Sequence, residues 1–192
     1  MKGKPKQPIR KSTQRLATNH SWTAPKGYKV VAIERGAVIF NIPQDWTLTK
    51  LQPIEIYDKE PPADNARISV SFWRLPPGLD WTELPLEGLL NDATKDLGKS
   101  DERRILDNGP VKTSPRTDLE LATKIQRFVD PLEHREAYTY MATARGWDVH
   151  VLITFDFWLD DLAKCAPVWD EVLRSLQLGL VIDDPTKGIM RH

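Results

Sequence analysis

The sequence predicts an α+β domain in which an antiparallel sheet packs against helices, and three observations support this. Residues 147–157 alternate apolar and polar side chains, which is typical of a strand with one buried face. Residues 162–176 repeat apolar side chains at spacings of three and four, as an amphipathic helix does. Short separators divide residues 119–157 into three strand-like segments. These segments are therefore expected to form an antiparallel meander.

The first half of the chain adds a hairpin, further strands and a helix. Residues 28–33 and 37–42 are apolar and β-branched and are separated by a short turn, which indicates a hairpin. Pro53 weakens a strand at 50–57 and suits an edge position. Residues 66–73 alternate clearly, residues 86–97 carry a helical apolar stripe, and a short strand or loop is expected near Ile105. Because Pro167 suits a first helical turn, the last helix is expected at 167–176.

Length and composition predict one domain with two appendages. The 192 residues are 40% hydrophobic and include seven Trp, enough for one sizeable core. The boundaries expected are a flexible basic arm at 1–26, a single domain at 27–179 and a loose tail at 180–192. Cys165 is the only cysteine, and the sequence has no apolar run of signal-peptide or membrane-spanning length. A soluble cytoplasmic protein is therefore expected.

Several motifs, taken in order, resemble the PsbP-like family. They are FNIPQDW at 40–46, ISVSF at 68–72 and PVWDEVLRSLQL at 167–178, together with the mid-chain helix and the meander. The family includes the photosystem subunit PsbP, a Ran-binding nuclear import factor and uncharacterised bacterial proteins. The resemblance spans residues 28–179 and implies an α/β/α sandwich on a central antiparallel sheet of about six to seven strands. It also implies a binding or accessory role.

Two departures from the family limit what the resemblance implies about function. Secreted and thylakoid members carry a signal sequence or a lipid-attachment cysteine near the start, and neither pattern is found here. The partner surface of the import factor is not recognisable either, so none of its residues is carried over.

The N-terminal arm is basic, whereas the rest of the chain is acidic. Residues 1–33 hold eight bases and no acid, which leaves 19 bases and 27 acids in the remainder. An anionic membrane, nucleic acid, a protein partner and a merely disordered arm all remain open, and a plastid transit peptide has a similar composition. Poor amphipathicity and the single aromatic Trp22 favour a protein partner over a membrane or nucleic acid. The candidate arm residues are Lys2, Lys4, Lys6, Arg10, Lys11 and Arg15.

The second face of the predicted meander is the candidate contact surface for a ligand or partner. If the three strands pair in sequence order, six polar side chains share the face opposite the apolar one. A solvated sheet face, or one covered by a helix, explains the same pattern. The six candidates are Lys124, Gln126, Tyr138, Tyr140, His150 and Thr154.

Two acidic groups and the cysteine have structural explanations. His134 lies near Asp130, Glu133 and Glu136, but this spacing matches no known ligand pattern, so no metal site is predicted. Helix capping explains a second acidic group at the end of the last strand. Its members are Asp156, Asp160 and Asp161. Cys165 lies on the apolar stripe of the last helix, where an inert thiol is expected.

The sequence therefore predicts a binding protein and no enzyme. It contains no nucleophile elbow, phosphate loop or dinucleotide fingerprint. The leading hypothesis is a non-enzymatic accessory module for a protein partner, without a cofactor. The alternative is a small-molecule or ion-binding module that uses the polar face of the meander. No oligomeric state follows from the sequence.

Overall fold

The computed structural model describes residues 15–49, 53–76, 78, 81, 84–95 and 103–189. These ranges form eleven strands and two α-helices, joined in part by 3₁₀ turns at Glu34–Gly36 and Leu159–Asp161. In chain order the elements are β1 Tyr28–Ile33, β2 Val38–Pro43, β3 Thr47–Leu48, β4 Ile54–Tyr57, β5 Ala66–Arg74, α1 Leu86–Lys95, β6 Arg104–Asn108, β7 Lys112–Pro115, β8 Glu120–Val129, β9 Glu136–Gly146, β10 Val149–Trp158, α2 Leu162–Ser175 and β11 Gln177–Leu178.

The strands form one large and one small antiparallel sheet. The large sheet has the order β3-β4-β5-β10-β9-β8-β6, with β7 also paired to β8, and the small sheet has the order β1-β2-β11. The predicted meander is confirmed as β8, β9 and β10. With eight strands, the large sheet exceeds the predicted six to seven. The difference comes from short strands such as β3 and β7, which span too few residues to show an alternating pattern.

The predicted sandwich is confirmed, because the large sheet is covered on both faces. On one face, Leu86 and Leu90 of α1 pack against Ala122 and Met141. On the other face, α2 and the small sheet enclose the main core. Successive residues of a strand point to opposite faces, so one strand such as β8 supplies side chains to both layers.

Aromatic rings fill the centre of the main core. Phe155 is fully buried, and its ring centroid lies 5.7 Å from that of Trp46, 4.9 Å from that of Phe157 and 6.1 Å from that of Trp169. Trp46 belongs to the FNIPQDW motif and Trp169 to α2. The core therefore joins the opening hairpin, the meander and the last helix.

The last helix begins before its proline, so its predicted start at 167 is wrong. Helix α2 spans Leu162–Ser175 and contains Pro167. The proline forfeits one backbone hydrogen bond, but the longer helix places buried Cys165 on the same apolar stripe as Trp169. Burial of this face stabilises the extra turn.

The described parts of the arm and tail contact each other. Ala17 N–H donates to Thr186 O at 2.8 Å, and the Trp22 indole N–H donates to Pro185 O at 2.9 Å. The tail also reaches the β1–β2 turn, where Ile182 N–H donates to Arg35 O at 2.8 Å. The boundaries at 26 and 179 stay a prediction, but backbone hydrogen bonds cross both of them.

Candidate functional site

Four of the six candidate side chains share one face of the large sheet, as predicted. In the strand register Lys124 lies opposite Met141, which lies opposite Thr154. Gln126 is two residues from Lys124 on β8, and His150 is four residues from Thr154 on β10. Even spacing along a strand keeps side chains on one face. We call this surface the polar face.

The prediction that Tyr138 and Tyr140 lie on the polar face is wrong. They pair with Phe157 and Phe155, so both tyrosines point to the opposite face, toward the main core. The Tyr140 ring centroid is 5.0 Å from that of Phe157 and 6.0 Å from that of Trp169. Burial, followed by nearby negative groups, raises the pKa of the Tyr140 hydroxyl. The large ring of a tyrosine makes it suited to an apolar face, although its hydroxyl is polar.

Helix α1 and a neighbouring strand cover the β8 part of the polar face. The Lys124 ammonium donates to Thr94 Oγ1 at 3.0 Å and to Asn91 Oδ1 at 3.2 Å, and burial lowers its pKa. Gln126 Nε2 donates to Asn108 Oδ1 at 3.1 Å. Both side chains are buried, so a ligand meets them only if α1 or β6 moves.

His150 lies further along the polar face and is half-buried. Its Nε2 is 2.7 Å from Thr143 Oγ1, and this hydroxyl also donates to Val151 O at 3.2 Å. The imidazole and the hydroxyl are therefore joined by a hydrogen bond, and the tautomer of His150 sets which of the two donates. The exposed ring of Trp73 packs edge-on to the imidazole, with 5.6 Å between centroids. Burial, and secondly the charge of Arg145, lower the pKa of His150.

We expect stability to fall as His150 is forced to protonate. Its folded-state pKa lies below the unfolded value of about 6.5, so protons bind the unfolded chain more strongly. The contribution of the neutral imidazole to the free energy of unfolding is fully present above pH 6.5. It is lost as the pH falls toward the folded-state pKa of His150. Between pH 7.5 and pH 5.5, the free energy of unfolding measured with urea should fall more for the wild type than for His150→Gln. Equal losses in the two proteins would contradict this explanation.

The acidic group at the end of β10 consists of Asp156, Asp160 and Asp161, and two of these residues bind arginine side chains. Asp156 accepts from Thr139 Oγ1 at 2.6 Å and from Arg67 at 3.0 Å, whereas Asp160 pairs with Arg135 at 3.1 Å. Asp161 precedes α2 but makes no side-chain capping bond. No side-chain cap is therefore formed, and Asp156 and Asp160 bind arginines instead. Asp160 and Asp161 do lie in the turn that leads into α2, as the expected interaction with the helix dipole requires.

The turn between β8 and β9 accounts for the acidic residues near His134. Asp130 Oδ1 accepts the backbone N–H groups of Leu132 and Glu133, both at 2.9 Å, and His134 is exposed. Within the described ranges, no group of three or more His, Cys, Asp or Glu side chains is placed to hold a metal ion. Asp130, Glu133 and His134 therefore belong to an ordinary turn between β8 and β9.

Cys165 is buried in the main core, as the sequence predicts. Burial, with a smaller contribution from the charge of Asp161, raises the pKa of its thiol to about 12. The reactive thiolate is therefore scarce at neutral pH.

The sequence pattern misplaced Trp147, which is the most conspicuous exposed residue at this end of the sheet. The alternation assigned it to the buried face of the strand, but Gly146 pairs with Val149, which leaves Trp147 and Asp148 as a two-residue hairpin loop. The Trp147 side chain is 81% exposed, and its φ of 53° lies in the left-handed region. The loop residues Trp and Asp match none of the usual two-residue hairpin signals, such as Asn-Gly or Asp-Gly, so the local sequence did not reveal this turn.

The base of Trp147 is fixed although its ring is exposed. A Cβ added to Gly179 would lie 2.6 Å from Trp147 Cβ, so the backbone passes directly beside this residue. The neighbouring Asp148 carboxylate accepts two hydrogen bonds from Arg74, at 2.7 and 2.8 Å. We call the surface formed by Trp147, Asp148 and Arg74, with half-exposed Val181 beyond Gly179, the Trp147 end.

Sequence comparison identifies the family. The model of the Alr1449 family matches residues 29–182, which is most of the chain. This chain belongs to the Alr1449 family. A relative from Nostoc sp. (strain PCC 7120), described as uncharacterized protein alr1449, is 40% identical over 181 residues. The match covers 93% of this chain and 92% of the relative.

Solved structures place this Alr1449 family member among PsbP-like folds. Cyanobacterial PsbP (CyanoP) from Synechocystis sp. PCC 6803 aligns with a TM-score of 0.55 and 13% identity, covering 81% of this chain and 95% of that chain. LpqN, described as involved in cell envelope biogenesis of Mycobacterium tuberculosis, aligns with a TM-score of 0.56 and 10% identity, covering 78% and 89%. The predicted PsbP-like fold is confirmed, and at these identities the likeness concerns the fold alone.

Neither α-helix of this Alr1449 family member has the length and apolar character needed to cross a bilayer, within the ranges that the structure describes.

Proposed function

We propose that this chain is a non-enzymatic binding module that contacts a protein partner through the Trp147 end. The observation that carries the proposal is the exposure of Trp147 at a hairpin tip with a left-handed backbone. A bulky residue in this conformation costs about 1–2 kcal/mol, whereas glycine or asparagine adopts it readily. A tryptophan here exposes a large apolar ring at a position where it weakens the hairpin.

A partner interface explains this combination. Tryptophan, tyrosine and arginine dominate the residues that contribute most to binding at protein interfaces. The Trp147 end offers a tryptophan beside the Arg74–Asp148 ion pair, so an apolar anchor has a charged rim next to it. The backbone at Gly179 passes directly beside the base of the anchor, and such packing limits the entropy lost on binding.

The structure supports the partner hypothesis better than the small-molecule alternative. Two of the six polar-face candidates point to the other face, and Lys124 and Gln126 already bind α1 and β6 side chains. His150 and Thr154 remain partly accessible. A small-molecule site would therefore rest on these two candidates and Trp73.

The basic arm is a second, separate part of the proposal. Arg15 is exposed, whereas Lys2, Lys4, Lys6, Arg10 and Lys11 lie outside the described residues. Their contribution by long-range attraction to an acidic region of the partner stays a prediction.

Substitution of Trp147 by asparagine tests the proposed interface. We expect Trp147→Asn to leave the protein as stable as the wild type or slightly more stable, because asparagine tolerates a φ of 53°. Loss of the anchor should weaken partner binding by about 2 kcal/mol or more, roughly 30-fold. Tagged wild type and variant, expressed in the native host, are compared by quantitative mass spectrometry of the proteins that co-purify.

Leu132→Asn is the matched control, because Leu132 is 86% exposed in the β8–β9 turn at the other end of the meander. It should recover the same partners as the wild type. Recovery of an unchanged set of proteins with Trp147→Asn would refute the proposal.

A further inference from the structure

Strand β5 extends beyond the strand that borders it. The last residue pair between β4 and β5 joins Ile54 to Val70, but β5 continues to Arg74. On its other side β5 remains paired to β10 as far as Arg74. Residues 71–74 therefore have a strand on one side only, among the residues that the structure describes.

Backbone alternation shows which groups face this open edge. Ala66 O accepts from Asp58 N–H on the β4 side, whereas Leu75 N–H donates to Asp148 O on the β10 side. In an antiparallel strand, both backbone groups of a residue point to one side and successive residues alternate. Phe72 and Arg74 therefore direct their N–H and C=O groups to the open edge. No described residue pairs with these groups.

A cleft of about 500 Å³ runs along the open edge. Phe72 and Trp73 present apolar surface on the two faces of the strand, and Trp73 is 52% exposed. Pro53, which has no N–H, precedes the first residue of β4. The cleft is lined by Glu34, Pro53, Ile54, Val70, Ser71, Phe72, Trp73 and Arg74.

The charge of the cleft is negative. Arg74 is neutralised by Asp148 through its two hydrogen bonds. The exposed carboxylate of Glu34 makes no hydrogen bond or ion pair with a described residue, and its φ of 42° holds it in a left-handed turn. Residues 34–192 also carry more acids than bases, 27 against 19. A basic occupant is complementary to this surface.

We propose that the open edge of β5 binds an extended basic segment of a partner protein as an added strand. The backbone groups of Phe72 and Arg74 would bond the segment, apolar residues of the segment would pack on Trp73, and a lysine or arginine would pair with Glu34. The inference deepens the proposed function, because it names the kind of segment that the partner contributes. Its binding groups differ from Trp147, so the two proposals can fail separately.

A synthetic peptide tests the added strand directly. The probe is an acetylated and amidated nonapeptide of alternating lysine and valine, titrated into the ¹⁵N-labelled full-length protein. We expect the amides of Phe72 and Arg74 to shift and to exchange with solvent at least tenfold more slowly when the peptide is bound. The amides of Ser71 and Trp73 bond β10 and should be protected with or without the peptide.

Two matched peptides separate strand addition from charge attraction. The same peptide with alternate N-methyl groups on the pairing edge keeps its charge and side chains but loses its donors, and should bind at least tenfold more weakly. A peptide with glutamate in place of lysine should also bind at least tenfold more weakly. Equal binding of the N-methylated peptide would overturn the proposal, as would no binding of the parent peptide at millimolar concentration.

Protein variants test the same contacts from the other side. Arg74→Pro removes the outward N–H while the β10 pairing is kept, and Arg74→Ala removes the same side chain and keeps the N–H. We expect peptide affinity to be at least fivefold lower for Arg74→Pro than for Arg74→Ala, and several-fold lower for Glu34→Gln than for the wild type. Leu132→Asn, in the β8–β9 turn at the other end of the meander, should leave peptide affinity unchanged. Trp147 supplies no backbone group to the β5 edge, so a negative peptide result does not decide the Trp147 proposal.

Other occupants of the edge give different results. Protection of the Phe72 and Arg74 amides in the free protein that grows with protein concentration would show a second copy of the chain at the edge. Protection that is independent of concentration would show that a segment of the same chain is bound there. Either outcome would overturn the proposal of a partner segment.

Discussion

Phe155→Ala should lower the free energy of unfolding by about 3–5 kcal/mol, the usual range for a buried phenylalanine. Its ring is fully buried and lies against Trp46, Phe157 and Trp169, which come from three different parts of the chain. These large rings have little freedom to close the space, so the cavity remains. Urea unfolding followed by far-ultraviolet circular dichroism measures the change.

The control for this substitution is Leu132→Ala, which removes an aliphatic side chain that is 86% exposed. We expect its effect to lie within about 0.5 kcal/mol of the wild type. A loss below about 1 kcal/mol for Phe155→Ala would mean that the core relaxes around the deleted ring, against the packing described above.

Strands with one buried face were predictable from the sequence because the buried side chains alternate. In β5 and β10, Ile68, Val70, Ile153 and Phe155 all face the main core, as their spacing indicates. Strand β1 was predicted with its observed ends, because an apolar β-branched run lies between Gly27 and the turn that contains Gly36. Strand β11 pairs with β2, which is distant in sequence, so no local pattern reveals it. Strand β3 pairs with nearby β4, but its two residues are too few to show an alternating pattern.

The candidate site was less predictable, because residue type does not determine which face a side chain takes. Tyr138 and Tyr140 have polar hydroxyls, but ring burial against Phe157 and Trp169 decides their orientation. Trp147 shows the opposite case, since it continues an apolar alternation but lies in the hairpin loop. Cross-strand register, which single-sequence periodicity does not contain, determines both outcomes.

The two proposed contact regions lie near each other because of one ion pair. Arg74 ends β5 at the open edge, and its carboxylate partner Asp148 follows Trp147 in the hairpin loop. Leu75 N–H also bonds Asp148 O at 2.7 Å, which fixes the loop to the end of β5. A partner whose basic strand adds to β5 therefore has Trp147 within reach of its flanking residues.

The second large effect is expected for Gly36→Ala, in the turn between β1 and β2. Gly36 has a φ of 105°, and an added Cβ would lie 2.7 Å from Leu180 O and 3.1 Å from Ile182 Cγ1. The backbone conformation costs an L residue about 1–2 kcal/mol, and overpacking adds about 1–3 kcal/mol. We therefore expect the free energy of unfolding to fall by about 2–5 kcal/mol, measured by urea unfolding.

Gly27→Ala separates the two contributions. Gly27 also has a positive φ, 85°, but an added Cβ there meets no heavy atom within 4 Å. Its substitution should therefore cost only the backbone part, about 1–2 kcal/mol. The additional loss of stability in Gly36→Ala, relative to Gly27→Ala, measures how strongly the tail packs against the β1–β2 turn. In this contact Leu180 N–H bonds Gly36 O at 3.1 Å, and Ile182 is buried. If both variants lose the same stability, the tail yields to the new methyl group and its contact with the β1–β2 turn is weak.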